Sequence, residues 1–149
     1  MSDHPDAVDE VAAWWFSAWK GWPYPDSHGV AEELRGELSC DALPVQVVAL
    51  EAGTPVGSAV LKPHEMRQSF PDFEFWLGNV YVIPARRGKR LASKLALHVE
   101  RIAVERGIPQ LYLATEQLDG GLYARLGYEP VVQTEKRGAQ VLVMVKRLS

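Results

Sequence analysis

The sequence predicts a single-domain α/β protein in which one mixed β-sheet is flanked by helices. Segments whose apolar residues recur every three or four positions alternate with short β-rich runs. The clearest helical pattern lies between two strand patterns, an order that calls for a sheet with helices packed on it. A length of 149 residues is enough for one domain with a real core and too short for two ordinary ones.

The elements follow in order. "DEVAAWWFSAWKGW", residues 9–22, reads as a first helix, with Val11, Trp14, Trp15, Ala18 and Trp19 sharing much of one face, stopped by Pro23 and Pro25. "SHGVAEELRGELS" is a second short helix, with Ser27 as its cap and Leu34 and Leu38 one turn apart. Two β-rich runs, Val45 to Leu50 and Val56 to Leu61, flank "EAGT" as a hairpin. "HEMRQSFPDF" is polar and irregular. "FEFWLGNVYVI" reads as a mostly buried strand, where Gly78 marks a bulge or a close backbone approach. Leu91, Leu95, Val99 and Ile102 define the clearest amphipathic helix, ended by Gly107. "QLYLAT" is a short buried strand and "DGGLYARLGY" a last short helix. The chain closes in a hairpin that turns at Lys136, Arg137 and Gly138. No internal repeat or linker interrupts this order.

Composition narrows the function classes. With 47% apolar and 23% charged residues, the chain has a globular balance and not that of a disordered segment. A net charge of -3 argues against a general polyanion binder but leaves room for one local basic site. Cys40 is alone, so it forms no intrachain disulfide or cysteine metal cluster, and it reads as a packing residue. No His/Asp/Glu grouping has metal-ligand spacing, so no metal is expected. "MSDHPDAVDE" lacks the apolar core of a signal peptide, and no run approaches membrane-spanning length. A cytoplasmic protein without a membrane partner is expected.

One basic turn stands out. In "NVYVIPARRGKRLASKL", a strand pattern stops at Pro84, and Arg86, Arg87, Lys89 and Arg90 surround Gly88 before a helix opens. The first amides of a helix have no internal partner, and its dipole adds partial positive charge there. A glycine-containing turn can aim those amides at one phosphate or pyrophosphate. The same residues also fit a solvated basic helix start. A nucleic-acid patch would need a wider basic face with interleaved aromatics, so no nucleic-acid partner is expected. The dinucleotide-fold and ATP-type phosphate-loop spacings are absent.

"NVYVIPARRGKRLASKLALHVERIAVERG", followed by "QLYLAT" and "GLYARLGYEP", resembles the acyl-CoA-binding core of the GNAT superfamily of N-acetyltransferases. That family has a central, mostly antiparallel mixed sheet. A Gln/Arg-x-x-Gly-x-Gly/Ala turn leads into a helix and holds the pyrophosphate of acetyl-CoA. The resemblance places Arg87, Gly88, Lys89, Arg90, Leu91 and Ala92 in that turn, with Arg90 where the family prefers glycine. An ordinary helical backbone is expected at Arg90, leaving the amide cradle intact. The resemblance is most specific over residues 76–130, the acyl-CoA core, and residues 9–38 fit the variable, substrate-shaping helices.

The chemistry it implies is acetyl transfer from acetyl-CoA to a primary amine, directly within a ternary complex. A small-molecule amine is the default acceptor, with a peptide or protein amine open, and the chain is a monomer or a homodimer. By the same resemblance Val80, Tyr81 and Val82 offer backbone contacts to the cofactor. Tyr123, in "GLYARLGY", is the general acid beside its sulfur, and Gln117 is a further cofactor contact. A phenol can donate such a proton, although Tyr123 also fits plain packing on an amphipathic helix. Glu74 is the candidate general base or a solvated edge residue. His64, which would titrate near neutral pH, and Trp15 and Trp19 are candidate acceptor contacts. The tryptophans serve equally as core anchors or as an aromatic wall. The rival reading is a non-catalytic acyl-CoA-binding module of the same fold.

Overall fold

A computed structural model describes residues 1, 3–19, 22–36, 43–88, 90–136 and 138–148. Among them the chain forms α1 (Val8–Ala18), α2 (Ser27–Gly36), β1 (Val45–Glu51), β2 (Thr54–Lys62) and β3 (Trp76–Val82). Then come α3 (Leu91–Glu105), β4 (Gln110–Thr115), α4 (Gly121–Arg125), β5 (Glu129–Lys136) and β6 (Ala139–Arg147). The strands make one sheet in the order β1-β2-β3-β4-β6-β5, antiparallel at every junction except the parallel pair β3–β4. This is the mixed, mostly antiparallel sheet that the sequence predicts.

Alternation along β2 separates two cores. Ala59 and Leu61 face Leu95, Ala96, Val99 and Ala103 of α3, while Val60 faces Val11, Trp15, Val30 and Leu34 of α1 and α2. The strand is therefore buried on both faces, which explains its nearly unbroken apolar run. The β1–β2 turn has positive φ at Ala52 (51°) and Gly53 (83°), the pair of angles that matches the twist of a two-residue hairpin.

Two local expectations are corrected. The first helix ends at Ala18, not Trp22, because Trp19 turns to an extended backbone (φ -120°, ψ 148°) and packs edge-on against Tyr81. Ser27 is the first helical residue of α2 and not its cap; Asp26 Oδ1 accepts the His28 amide at 3.1 Å in that role. Leu38, Cys40, Lys89 and Arg137 lie outside the described residues.

The carboxy-terminal half is tied together by Glu100 of α3. Its buried carboxylate accepts the Lys146 ammonium at 2.7 Å and the Tyr128 hydroxyl at 3.2 Å. Burial and the Glu100 charge hold that phenol protonated far above its ordinary range.

Candidate active site

Strands β3 and β4 diverge almost at once. The pair Trp76–Tyr112 is the one registered partnership between them among the described residues. Beyond it opens a cleft of about 470 Å³, walled by Leu77–Val80 on one side and Leu113–Gln117 on the other. Tyr123 of α4, Trp19, Glu65 and Lys136 also line it.

The divergence starts at a bulge. Ser58 pairs with Tyr81 and Val60 with Gly78, so Asn79 and Val80 together face one residue of β2. Asn79 takes a left-handed backbone (φ 50°), a conformation asparagine tolerates better than most residues. A buried relay fixes it there: Trp15 Nε1–H donates to Ser58 Oγ at 2.8 Å, and the Ser58 hydroxyl donates to the Asn79 carbonyl at 3.0 Å. Ser58 is fully buried and Trp15 is 3% exposed. Trp15 therefore acts from the core and does not line this cleft, whereas Trp19 does.

An ionic group that the sequence did not reveal lies against the bulge. Glu65 Oε1 receives Lys62 Nζ at 3.0 Å and Lys136 Nζ at 3.3 Å, and Lys62 also donates to Asn79 Oδ1 at 2.9 Å. Burial alone would raise the Glu65 pKa, but the two ammonium charges and their hydrogen bonds outweigh it and hold the carboxyl below its usual range. Gly78 is what lets this group lie on the strand, since a Cβ there would stand 2.9 Å from Glu65 Oε1 and 2.9 Å from Lys62 Cε. Gly78 thus marks both a close approach and the edge of the bulge. The only local signal of the cluster is the i,i+3 spacing of Lys62, at the end of a β-rich run, and Glu65, in the stretch that reads as irregular.

Tyr123 is half-buried and packs edge-on against Tyr128 with ring centroids 6.0 Å apart. Burial, and secondarily the negative charge of Glu65, push its pKa up to about 12. Gln117 also lines the cleft, its backbone N–H donating to Thr115 Oγ1 at 3.2 Å. Val80 faces the cleft. Tyr81 turns its ring to a stack with Trp14 at 5.5 Å, and Val82 is buried in the core. Glu74 is exposed in the segment before β3 and does not line the cleft. His64 lines a separate chamber on the α1–α2 side.

The turn after β3 leaves the start of α3 without a side-chain cap. Gly88 (φ 81°) and Arg90 (φ 60°) are both left-handed. This corrects the helical backbone expected at Arg90: the turn imposes on arginine the geometry that glycine adopts without a Cβ penalty. The first α3 amides, from Leu91 and Ala92 onward, lack intrahelical acceptors by position, and the first such bond runs from Lys94 N–H to the Arg90 carbonyl at 3.1 Å. Arg87 crosses the Tyr81 ring at 5.4 Å and donates from Nε to the Val82 carbonyl, which aligns it along the end of β3. Arg86 is occupied elsewhere, paired through two nitrogens with Glu51.

Comparison with known proteins agrees with this geometry. The fold is similar to a GCN5-related N-acetyltransferase from Kribbella flavida (TM-score 0.73, 19% identity, 99% of this chain and 94% of that one). It is similar also to an aminoglycoside 6'-N-acetyltransferase from Enterococcus faecium (0.69, 17%, 100% and 93%). A third likeness is to the PaiA N-acetyltransferase from Thermoplasma acidophilum, solved in complex with coenzyme A (0.68, 19%, 98% and 94%). No curated protein matches the chain. Residues 9–128 match the family model for the acetyltransferase (GNAT) family, a span that takes in α1, the bulged strand, the turn before α3 and Tyr123. With its sheet split beside an uncapped helix start and most of its length matching that family, the chain belongs to the acetyltransferase (GNAT) family.

Proposed function

We propose that the chain transfers the acetyl group of acetyl-CoA to a primary amine, of a small molecule by default, directly within a ternary complex. The observation that carries this reading is the cleft between β3 and β4, lined by both Tyr123 and Glu65, together with the uncapped start of α3 that follows β3 in the chain. The residues present fit the cofactor. The space around Gly88 is open, with nothing within 4 Å of a Cβ there, and the first-turn amides carry no side-chain cap.

Acetyl-CoA, when bound, supplies an activated thioester carbonyl. In our reading the first-turn amides of α3, from Leu91 and Ala92, bind the pyrophosphate, with Arg87 and Arg90 adding charge. The β3 backbone at Val80–Val82 faces the thioester arm and offers an N–H to the developing oxyanion. Tyr123, held protonated through neutral pH, donates to the leaving sulfur. The proton lost by the amine nitrogen as the amide forms ends on that sulfur, so the transfer is balanced.

Neither carboxylate serves as an effective base. Glu74 stands outside the cleft, and Glu65 is tied to two ammonium groups that make it a poor proton acceptor. Glu116, which lines the cleft, and water are left to take the acceptor ammonium's proton, while Glu65 holds the Lys62 ammonium that bonds Asn79.

Calorimetry with acetyl-CoA tests the reading on the wild type, Gly88→Glu and Tyr123→Phe. Binding by the wild type and by Tyr123→Phe is expected, with Gly88→Glu losing it. Tyr123→Phe should lower kcat about 10²-fold or more when amines are supplied. Binding without turnover of any amine would identify the non-catalytic acyl-CoA module instead. No binding by the wild type would sink both.

A further inference from the structure

Proton delivery by Tyr123 needs its ring held in place, yet α4 offers little to hold it. The helix is five residues long, has no side-chain cap and buries none of its own residues. Gly120 (φ 87°) and Gly127 (φ 98°) stand at its two ends with left-handed backbone. So short a helix has little stability of its own. Its anchorage comes from the chain that follows. Leu126 and Tyr128 both donate their backbone N–H to the Tyr123 carbonyl, at 3.1 and 3.0 Å. The Tyr128 ring then meets the Tyr123 ring edge-on, with centroids 6.0 Å apart.

Tyr128 is fixed where Tyr123 is not. It is buried, and its hydroxyl donates to Glu100 Oε2 at 3.2 Å. Glu100 is itself buried on α3, and its other oxygen, Oε1, accepts Lys146 Nζ at 2.7 Å. The same ammonium lies 5.7 Å from the centroid of the Tyr128 ring. Each carboxylate oxygen is thus engaged, one by each partner. Packing alone would be served by phenylalanine at 128, with no buried hydroxyl to satisfy. A buried ion pair likewise adds little to stability, because desolvating the charges offsets their attraction. What the group does supply is direction: the phenol has one acceptor, and its ring plane follows.

Resting on the general-acid reading of Tyr123, we infer that Glu100 is a positioning residue for the transfer: through the Tyr128 hydroxyl it sets the Tyr128 ring, and that ring sets the Tyr123 phenol for proton delivery. Lys146 completes the device by holding the second carboxylate oxygen, which keeps Glu100 turned toward Tyr128. Glu100, Tyr128 and Lys146 do not line the cleft, so each acts through Tyr123.

The test pairs NMR of the Tyr123 ring with kinetics on ethylamine and spermidine. In protein made with ring-labelled tyrosine, Tyr123→Phe identifies the Tyr123 signals by their loss. The double variant Glu100→Met/Lys146→Met removes the buried pair at similar volume and alters neither tyrosine. It should shift and broaden the Tyr123 signals, and unchanged signals overturn the inference whether or not either amine is turned over. Tyr128→Phe, which removes only the hydroxyl, and the double variant should each lower kcat about ten-fold. KM for the amine and the calorimetric Kd for acetyl-CoA should stay within about two-fold of wild type. In a Tyr123→Phe background the same changes should cost less than about two-fold further, because the group they position is gone. A merely structural role would give equal losses in both backgrounds, or a fall in kcat matched by weaker acetyl-CoA binding, and either overturns the inference. Tyr128→Phe keeps the kinetic test decisive if the paired methionines do not fold. Should Tyr123→Phe itself leave kcat unchanged, the general-acid reading falls, and shifted Tyr123 signals would retain Glu100 as the group that sets that ring.

Discussion

Arg90 holds a backbone conformation that costs an ordinary L-residue roughly 1–2 kcal/mol. Glycine would escape that cost but would add unfolded-chain entropy worth roughly 0.5–1 kcal/mol. Arg90→Gly should therefore raise unfolding free energy by about 0.5–1 kcal/mol, read as a higher urea midpoint at unchanged slope. A lower midpoint would mean that the guanidinium, not the backbone, decides the stability of the turn. Tyr123 gives a pH signature at the same scale. Its pKa rises from 10.0 unfolded to about 12 folded, so its contribution is complete below pH 10 and is lost as pH climbs toward 12. The interval corresponds to about 3 kcal/mol. Tyr123→Phe should flatten the fall in stability across that window, measured by denaturant titrations between pH 9 and 12. The phenol also stays protonated where amines become neutral, so the alkaline side of the rate profile should follow the acceptor.

At the scale of elements, α1 and β3 are coupled through the Trp15–Ser58–Asn79 relay. Ser58→Ala removes the middle of it and leaves an indole N–H and a carbonyl without partners, at a cost of about 1–3 kcal/mol for each buried group. The expected outcome is a destabilised but folded protein that binds acetyl-CoA and turns over more slowly, seen by pairing denaturation with calorimetry and kinetics. Unchanged kcat would separate the bulge from the chemistry. Such coupling explains what the sequence could disclose. Local periodicity and turn residues made the helices, the hairpins and the glycine-containing turn before α3 legible, because each depends on neighbours a few residues apart. The Glu65 group was not legible, since Lys136 reaches it only after the final hairpin folds back. Glu74, by contrast, looked suited to a base because of its place before β3, yet its backbone leaves it in solvent.

At the scale of the molecule, β3 and β4 each keep a full partner on one side and lose the other beyond Trp76 and Tyr112. The order of elements foretold one mixed sheet, but no pattern in "FEFWLGNVYVI" says that its neighbour will peel away. A sheet that opens in the middle has four edges where six strands ordinarily leave two. Two of these edges face the cleft, and in the proposed reading their backbone donors and acceptors would meet an extended, amide-bearing arm. In that sense the sheet is one strand short, and the thioester arm of acetyl-CoA would complete it as a borrowed strand. Hydrogen exchange is the direct gauge. Amides of 80–82 and 113–115 that face the gap should exchange quickly in the free protein and slow at alternate positions with acetyl-CoA, while those directed to β2 and β6 stay protected throughout. Slowing at every position would indicate instead that the strands close on each other.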